Sequence, residues 1–274
     1  MTFFRTLIIA VMVFWLSGCE ETDVGMLASA GIDVVSAVTL TDQQVANLAH
    51  RVAVTSDSQH RVAAADNPYA VRLRRITKKH KSRGGLRYNF KAYLTMEVNA
   101  FALADGSIRV YSGLMDLMDD DELLFVIGHE MGHVAKKHSR KKVIVAYASS
   151  AVRKGIASQE NTIGQLARSV LGSLTEQLAN AQFSQHEERQ ADDYGTTFLE
   201  EQGYSRDSAV SALNKLALLA SQHTLLSSHP EPAARSRRIA TGEEEEKDSI
   251  VQQAFNTVQN LFWHLYTFIK NLIA

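Results

Sequence analysis

Hydrophobic positions along this chain change period several times, and each change predicts an element. Val45, Leu48, Ala49 and Val52 recur at helical spacing after Thr41-Asp42, a pair that suits a helix start. Asn67-Pro68 opens a second helix through Tyr69, Val71, Leu73 and Ile76, which Gly84-Gly85 is expected to end. The period then falls to two. Tyr88, Phe90, Ala92 and Leu94 alternate with Asn89, Lys91 and Tyr93, as in a strand. Two further short strands are expected over 98–103 and 108–111, with Asp105-Gly106 as the hairpin signal between them. From Leu123 to Val134 the apolar positions cover almost the whole circumference of a helix, which marks it as buried. Asp119, Asp120, Asp121 and Glu122 suit its positive end, and Lys136, Lys137, Arg140, Lys141 and Lys142 are expected to mark its emergence into solvent. Residues 143–182 have helical character, a later helix ends at Gly203, and another spans 208–221. The pattern predicts an α+β fold, a mainly helical body with a small sheet beside a cleft.

The chain ends read differently. Arg5 precedes an apolar stretch, Leu7 to Leu16, too short for a permanent membrane span. It closes on Leu16-Ser17-Gly18-Cys19, small residues at a cleavage point, and resembles a bacterial lipobox. Residues 1–18 are then a signal peptide, Cys19 the lipidated first residue of the mature chain, and 19–40 a tether. In such lipoproteins Glu20, rather than Asp, after the cysteine implies the periplasmic face of the outer membrane. Residues 241–249 form an acidic linker around Glu243 to Glu246. Residues 250–274 form an amphipathic helix, a poor membrane span expected to pack on the body. With 29 basic and 30 acidic residues the net charge is −1, so no global field favours nucleic acid, and no nucleic-acid motif occurs. The basic run from Arg72 to Arg83 reads as a solvated helix face.

The candidate chemistry lies in the buried helix, in His129-Glu130-Met131-Gly132-His133. Residues four apart share a helix face, so both imidazoles can meet one metal ion, and Glu130 can reach a water beside it. Two imidazoles and a third protein ligand leave zinc's fourth position open, as catalytic zinc requires. His138 lies about 140° around a continuing helix from that face, so it reads as a helix-end residue and not a ligand. The downstream segment Phe183 to Gly195 is the better source. Glu188 and Asp192, four apart, would place one carboxylate on the metal and the other behind an imidazole, although spacing alone does not choose between Glu187 and Glu188.

From about Thr41 to Arg238 the sequence resembles the HtpX/BepA/LoiP-type zinc peptidases, gluzincins of membrane-linked protein quality control. The resemblance rests on Asn99-Ala100-Phe101-Ala102, the run from Gly106 to Leu114, the His-Glu-Met-Gly-His helix, the segment Phe183 to Gly195, and His229-Pro230 with Arg235. It implies a zincin-type metallopeptidase domain over 41–240 with one Zn2+ held by His129, His133 and Glu188. It further implies that Glu130 is the general base, that Asp192 orients a ligand imidazole, and that His229 lies near the metal, where it is the candidate oxyanion donor or, with its loop swung inward, a plug in zinc's fourth position. Arg235 is expected to hold the His229 loop by pairing with acidic groups. The strand Asn99, Ala100, Phe101 and Ala102 is expected to be the edge along which an extended peptide binds. Substrates would be unfolded or misassembled envelope proteins, with envelope assembly factors as further partners. A non-catalytic zinc-stabilised lipoprotein adaptor and a zinc amidase acting on cell-wall peptides are the alternatives. The intact Glu130 disfavours the adaptor, since a structural site has no use for a base there.

Overall fold

The computed structural model describes residues 40–157, 178, 182–219 and 224–242. The expected signal peptide, Cys19, the tether apart from Leu40, most of the acidic linker and the helix over 250–274 lie outside the described residues. Among the described residues, no helix is long and apolar enough to cross a membrane.

Helix α1 (Asp42–Gln59) starts where its pattern predicts, because Thr41 and Gln44 form a reciprocal capping box. Helix α2 (Pro68–Thr77) is capped by the Asn67 side chain, which accepts from Tyr69 N–H. It ends at Thr77, short of Gly84-Gly85. Those glycines, at φ 57° and 77°, instead turn a hairpin between β1 (Ser82–Arg83) and β2 (Leu86–Arg87).

The main sheet joins β3 (Asn89–Tyr93), β4 (Ala100–Ala102) and β5 (Ser107–Tyr111) in the order β3-β5-β4. β3 runs parallel to β5, and β4 pairs antiparallel to it through the expected turn at Asp105-Gly106. The alternation of β3 does not end in one wet face, for Ala92 and Tyr93 are both buried. The cause is a second cover. Ala92, Ala100, Ile108 and Val110 face the main core, while Tyr93 and Arg109 bond on the other face to Asp57 of α1. β4 is left as an edge.

Helix α3 (Ser112–Leu117) leads into α4 (Asp120–Ala135), whose Asp119–Glu122 capping box fixes its start. Every residue of α4 from Glu122 to Val134 is buried. Burying Leu123, Ile127 or Met131 contributes roughly 1.5–3 kcal/mol each, so this helix is held firmly by the core. Lys137, at φ 64°, breaks the chain direction, and α5 (His138–Ala157) begins at the next residue. Then come α6 (Gln185–Glu201), α7 (Asp207–Ala217), α8 (Thr224–Ser228) and α9 (Pro232–Thr241). α6 ends before Gly203 as expected.

Small residues let α4 and α6 approach closely. A Cβ on Gly195 would lie 2.9 Å from the backbone nitrogen of His129, and one on Gly128 would lie 2.6 Å from Phe198 and 3.1 Å from Gly195 Cα. This crossing brings the carboxylates of α6 over the histidines of α4.

Candidate metal centre

Four side chains from three segments point at one another. His129 and His133 come from α4, Glu188 from the first turn of α6, and His229 from the turn between α8 and α9. One donor atom from each lies within 4.8 Å of all the others, and all four residues are buried. His129 Nε2 is 3.0 Å from His133 Nε2, 3.2 Å from His229 Nδ1 and 3.6 Å from Glu188 Oε2. Glu188 Oε1 is 3.3 Å from His133 Nε2 and 3.0 Å from His229 Nδ1. Zinc bonds of about 2.0–2.2 Å in a tetrahedron put neighbouring ligand atoms roughly 3.3–3.6 Å apart. The donor set and its spacing therefore fit a small tetrahedral cation.

The surroundings fix which nitrogen each ring offers. Asp192 Oδ1 lies 2.9 Å from His129 Nδ1 and accepts its proton, so the Nε2 lone pair faces the cage. Burial opposes charge on Asp192, but Arg235, bonded to both its oxygens at 2.6 and 2.9 Å, outweighs that and holds the carboxyl below its usual range. Burial also opposes charge on Glu188, and there Arg235, His229 and His129 prevail, leaving its carboxyl well below the ordinary range. Arg235 Nη1 sits 2.6 Å from Glu188 Oε2, so one guanidinium ties together both carboxylates of α6 and anchors α9 behind the site. Its expected pairing with acidic groups is thus met by Glu188 and Asp192. Burial pushes the His133 imidazole well below its ordinary value, and a neutral ring is what a metal requires.

His138 departs from its expected place. The positive φ of Lys137 turns the chain so that His138 starts α5 and is buried, with Nδ1 3.1 Å from His133 Nδ1. Its Nε2 lies 2.9 Å from Gln190 Oε1, and Gln190 Nε2 lies 3.0 Å from His186 Nε2. One set of tautomers satisfies the chain: His133 Nδ1–H donates to His138, His138 Nε2–H to Gln190, and Gln190 to His186. That set leaves His133 Nε2 unprotonated and facing the cage. His138 stays outside the cage but orients a ring that enters it. The helical-wheel estimate failed because it assumed an unbroken helix.

Glu130 adjoins the cage without joining it. Among the described residues its buried Oε1 has no hydrogen bond, and it lies 3.4 Å from His229 Nε2. Glu187, by contrast, closes the capping box of α6 with Ser184 and pairs with Lys141 at 3.0 Å.

A cavity of about 230 Å³ opens beside the cage, lined by Glu130 and His229 and by Asn99, Phe101 and Ala102 of the β4 segment. Ala100 turns away into the core. Asn99 O and Leu103 N bond to β5, so by antiparallel alternation the backbone groups of Ala100 and Ala102 point outward from the edge. Ala102 O already accepts from the Ser139 hydroxyl at 3.1 Å. Lys142, expected in solvent, turns inward over the Phe183 ring and lines the same cavity.

The model of peptidase family M48 matches residues 70–243. Metalloprotease LoiP of Escherichia coli (strain K12) is 41% identical over 239 residues, which are 86% of this chain and 95% of that protein. Metalloprotease YcaL of the same strain is 37% identical over 246 residues, 86% of this chain and 97% of its own length. The putative beta-barrel assembly-enhancing protease of Vibrio cholerae serotype O1 is 25% identical over 152 residues, 50% of this chain and 31% of its own. The matched span contains the whole cage together with Glu130, and the chain belongs to peptidase family M48 and is a metalloprotease.

Proposed function

We propose that this metalloprotease is a zinc-dependent endopeptidase that cleaves unfolded or misassembled proteins of the bacterial envelope. The observation that carries the reading is the convergence of three imidazoles and Glu188 beside an unbonded, buried Glu130 carboxylate oxygen. Among the described residues no group hydrogen-bonds that atom, and a catalytic base is a use that accounts for its burial. His129, His133 and Glu188 would hold the ion, and nitrogen-rich donor sets suit zinc. When bound, zinc supplies a Lewis acid that polarises the scissile carbonyl and acidifies the attacking water. Glu130 takes the proton of that water at Oε1 and returns it to the leaving amine. The edge of β4 at Ala102, which lines the cavity, would give an extended peptide main-chain hydrogen bonds, and these favour unfolded chains without demanding one sequence.

His229 acts as a reversible plug. Its Nδ1 fills the fourth corner of the cage, the place an attacking water needs, and its loop must swing out before turnover. His229→Ala should raise cleavage of an unfolded substrate while zinc stays bound. A fall in rate with zinc still bound would assign it to oxyanion stabilisation instead.

The envelope assignment draws on the lipobox-like Leu16 to Cys19, and on a relative named for enhancing β-barrel assembly. The lipidated Cys19 would tether the enzyme to the periplasmic face of the outer membrane, near assembly partners. The decisive experiment is casein cleavage by the purified chain, lost with a chelator and restored by zinc. Cleavage unaffected by chelation would overturn the zinc mechanism, and a mature N-terminus lacking a lipid on Cys19 would overturn the anchoring.

A further inference from the structure

Among the described residues, Lys142 is the one cation that lines the cleft beside Glu130, and it takes no part in holding the cage. It is half-buried, and its ammonium stands 3.4 Å from the centroid of the Phe183 ring. Phe183 also stacks on His133, with centroids 3.6 Å apart and planes 17° from parallel. Two groups so close to one ring centre cannot share a face, so Phe183 is sandwiched between the ammonium and a cage imidazole. Among the described residues, no oxygen accepts a hydrogen bond from Lys142. The ring face offsets part of the cost of burying the charge, yet it fills none of the three N–H donors.

That position separates two roles. The thickness of Phe183 lies between Lys142 and the cage, so the ammonium is set back from the carbonyl undergoing attack. It is still within reach of a neighbouring side chain, because an extended peptide advances about 3.3 Å per residue. The shared cavity continues past Phe101 and Ser139, which gives such a side chain room.

We propose that Lys142 sets the cleavage preference of the cleft by receiving a carboxylate of the bound peptide next to the scissile bond. The proposal rests on the endopeptidase reading above. A carboxylate supplies the acceptors that Lys142 lacks and forms charge-assisted bonds in a partly desolvated site. Burial draws the Lys142 pKa down to about 8 against the opposing pull of Glu130, Glu188 and Glu187. An anion arriving from the substrate would restore the charged form. Its source is either an Asp or Glu side chain or the terminal carboxylate of a short product-like peptide.

The test uses the zinc-loaded full chain and quenched peptides that carry Glu or Gln at each position flanking the scissile bond, each made with a free and an amidated C-terminus. At one position the wild type should favour Glu over Gln by ~10–100-fold in kcat/KM, carried mostly by KM, the range expected of a hydrogen bond to a charged group. Lys142→Met should bring that ratio to about 1, Lys142→Arg should keep it, and Lys142→Glu should reverse it in favour of Lys-bearing peptides. A preference that follows the free C-terminus assigns the terminal carboxylate; one that survives amidation assigns the side chain. A Glu:Gln ratio unchanged in Lys142→Met, or an equal loss on both peptides, overturns the proposal and leaves the endopeptidase reading intact. A wild type that cleaves casein but shows no Glu preference at any position also overturns it. Failure to cleave casein or any peptide overturns the endopeptidase reading itself.

Discussion

Two buried polar clusters in this domain are built on opposite plans. In the first, Arg109 is almost fully buried and directs its donors outward to waiting acceptors. Nε and Nη2 reach the two oxygens of Asp57 at 2.7 and 3.1 Å, and Nη1 reaches Asn89 and Ile108. Tyr93 and Lys91 complete Asp57. Charge meets countercharge there, and each contact is closed by a protein group. In the metal centre three imidazole lone pairs and a carboxylate converge on one point, an arrangement that only a cation satisfies. The outer partners Asp192, Arg235, His138 and Gln190 carry the cost of holding those acceptors together. A closed cluster stabilises the fold, whereas a cluster that turns its acceptors inward is committed to a ligand.

The contrast is broken most severely at the base. Glu130→Gln keeps the shape of the side chain and removes only its proton-accepting charge. Turnover of an unfolded substrate should fall by ~10²–10⁴-fold, the usual worth of a general base, with metal content at the wild-type level. Atomic absorption paired with a casein assay reads both. Loss of the metal along with the activity would make Glu130 part of the cage.

The closed cluster should respond in stability instead. Asp57→Asn strands Arg109 in the interior, which costs about 3–5 kcal/mol by urea denaturation and leaves metal binding untouched. The loss should also depend on pH. Burial opposes ionisation of Asp57, but Arg109, Lys91 and Tyr93 overcome it and lower its pKa from 3.8 to about 2. A carboxylate lowered in the folded state adds stability that is complete above its unfolded pKa and is lost as pH falls through its folded one. The wild-type advantage over Asp57→Asn should therefore shrink by about 1 kcal/mol between pH 5 and pH 2, since solvent screens part of the full shift at this partly exposed carboxylate. An advantage independent of pH over that window would mean that Asp57 does not carry the charge.

The sequence was legible where one local rule governed. Capping residues marked the starts of α1, α2 and α4, and total apolarity marked α4 as buried. The i, i+4 spacing on two helices correctly grouped His129 with His133 and Glu188 with Asp192. Legibility failed where a single residue redirects the chain or a second layer covers a face. Nothing in Lys136-Lys137 announces the left-handed residue that turns His138 inward, and no period in β3 or β5 reveals that α1 covers Tyr93 and Arg109 from behind. The inward turn of Lys142 was hidden by its basic neighbours, whose pattern reads as solvated surface.

His138 sharpens the comparison at smaller scale, because it is an outer partner with no contact to the metal. His138→Ala removes the acceptor that fixes the His133 tautomer, and zinc affinity should weaken by ~10–100-fold, as for other groups that orient a ligand. Competition against a chromogenic chelator measures this directly. His138→Gln keeps a hydrogen-bonding group at that position and should recover part of the loss. Affinity equal to wild type in both variants would show that Phe183 packing alone holds the ring.

The smallest effect is expected from Glu187, and it tests the assignment that spacing left open. Glu187 and Glu188 are adjacent in the first turn of α6, yet they point to different regions. Glu188 enters the cage. Glu187 turns back, where its Oε2 accepts from the backbone and hydroxyl of Ser184 and its Oε1 from Lys141. Ser184 and Glu187, three residues apart, form a capping box that gives this carboxylate a local occupation and leaves Glu188 for the cage, a signal the spacing argument did not use. Glu187→Ala should cost about 0.5–2 kcal/mol of stability, the worth of a helix cap, with zinc stoichiometry unchanged and cleavage near the wild-type rate. Glu188→Ala should instead abolish metal retention and activity together, and because it also leaves Arg235 with one fewer carboxylate, its thermal unfolding should no longer respond to added zinc. The reverse pattern, with zinc lost from Glu187→Ala and kept by Glu188→Ala, would mean that the first turn of α6 is rotated by one residue and that the cage is assembled from the wrong face of the helix.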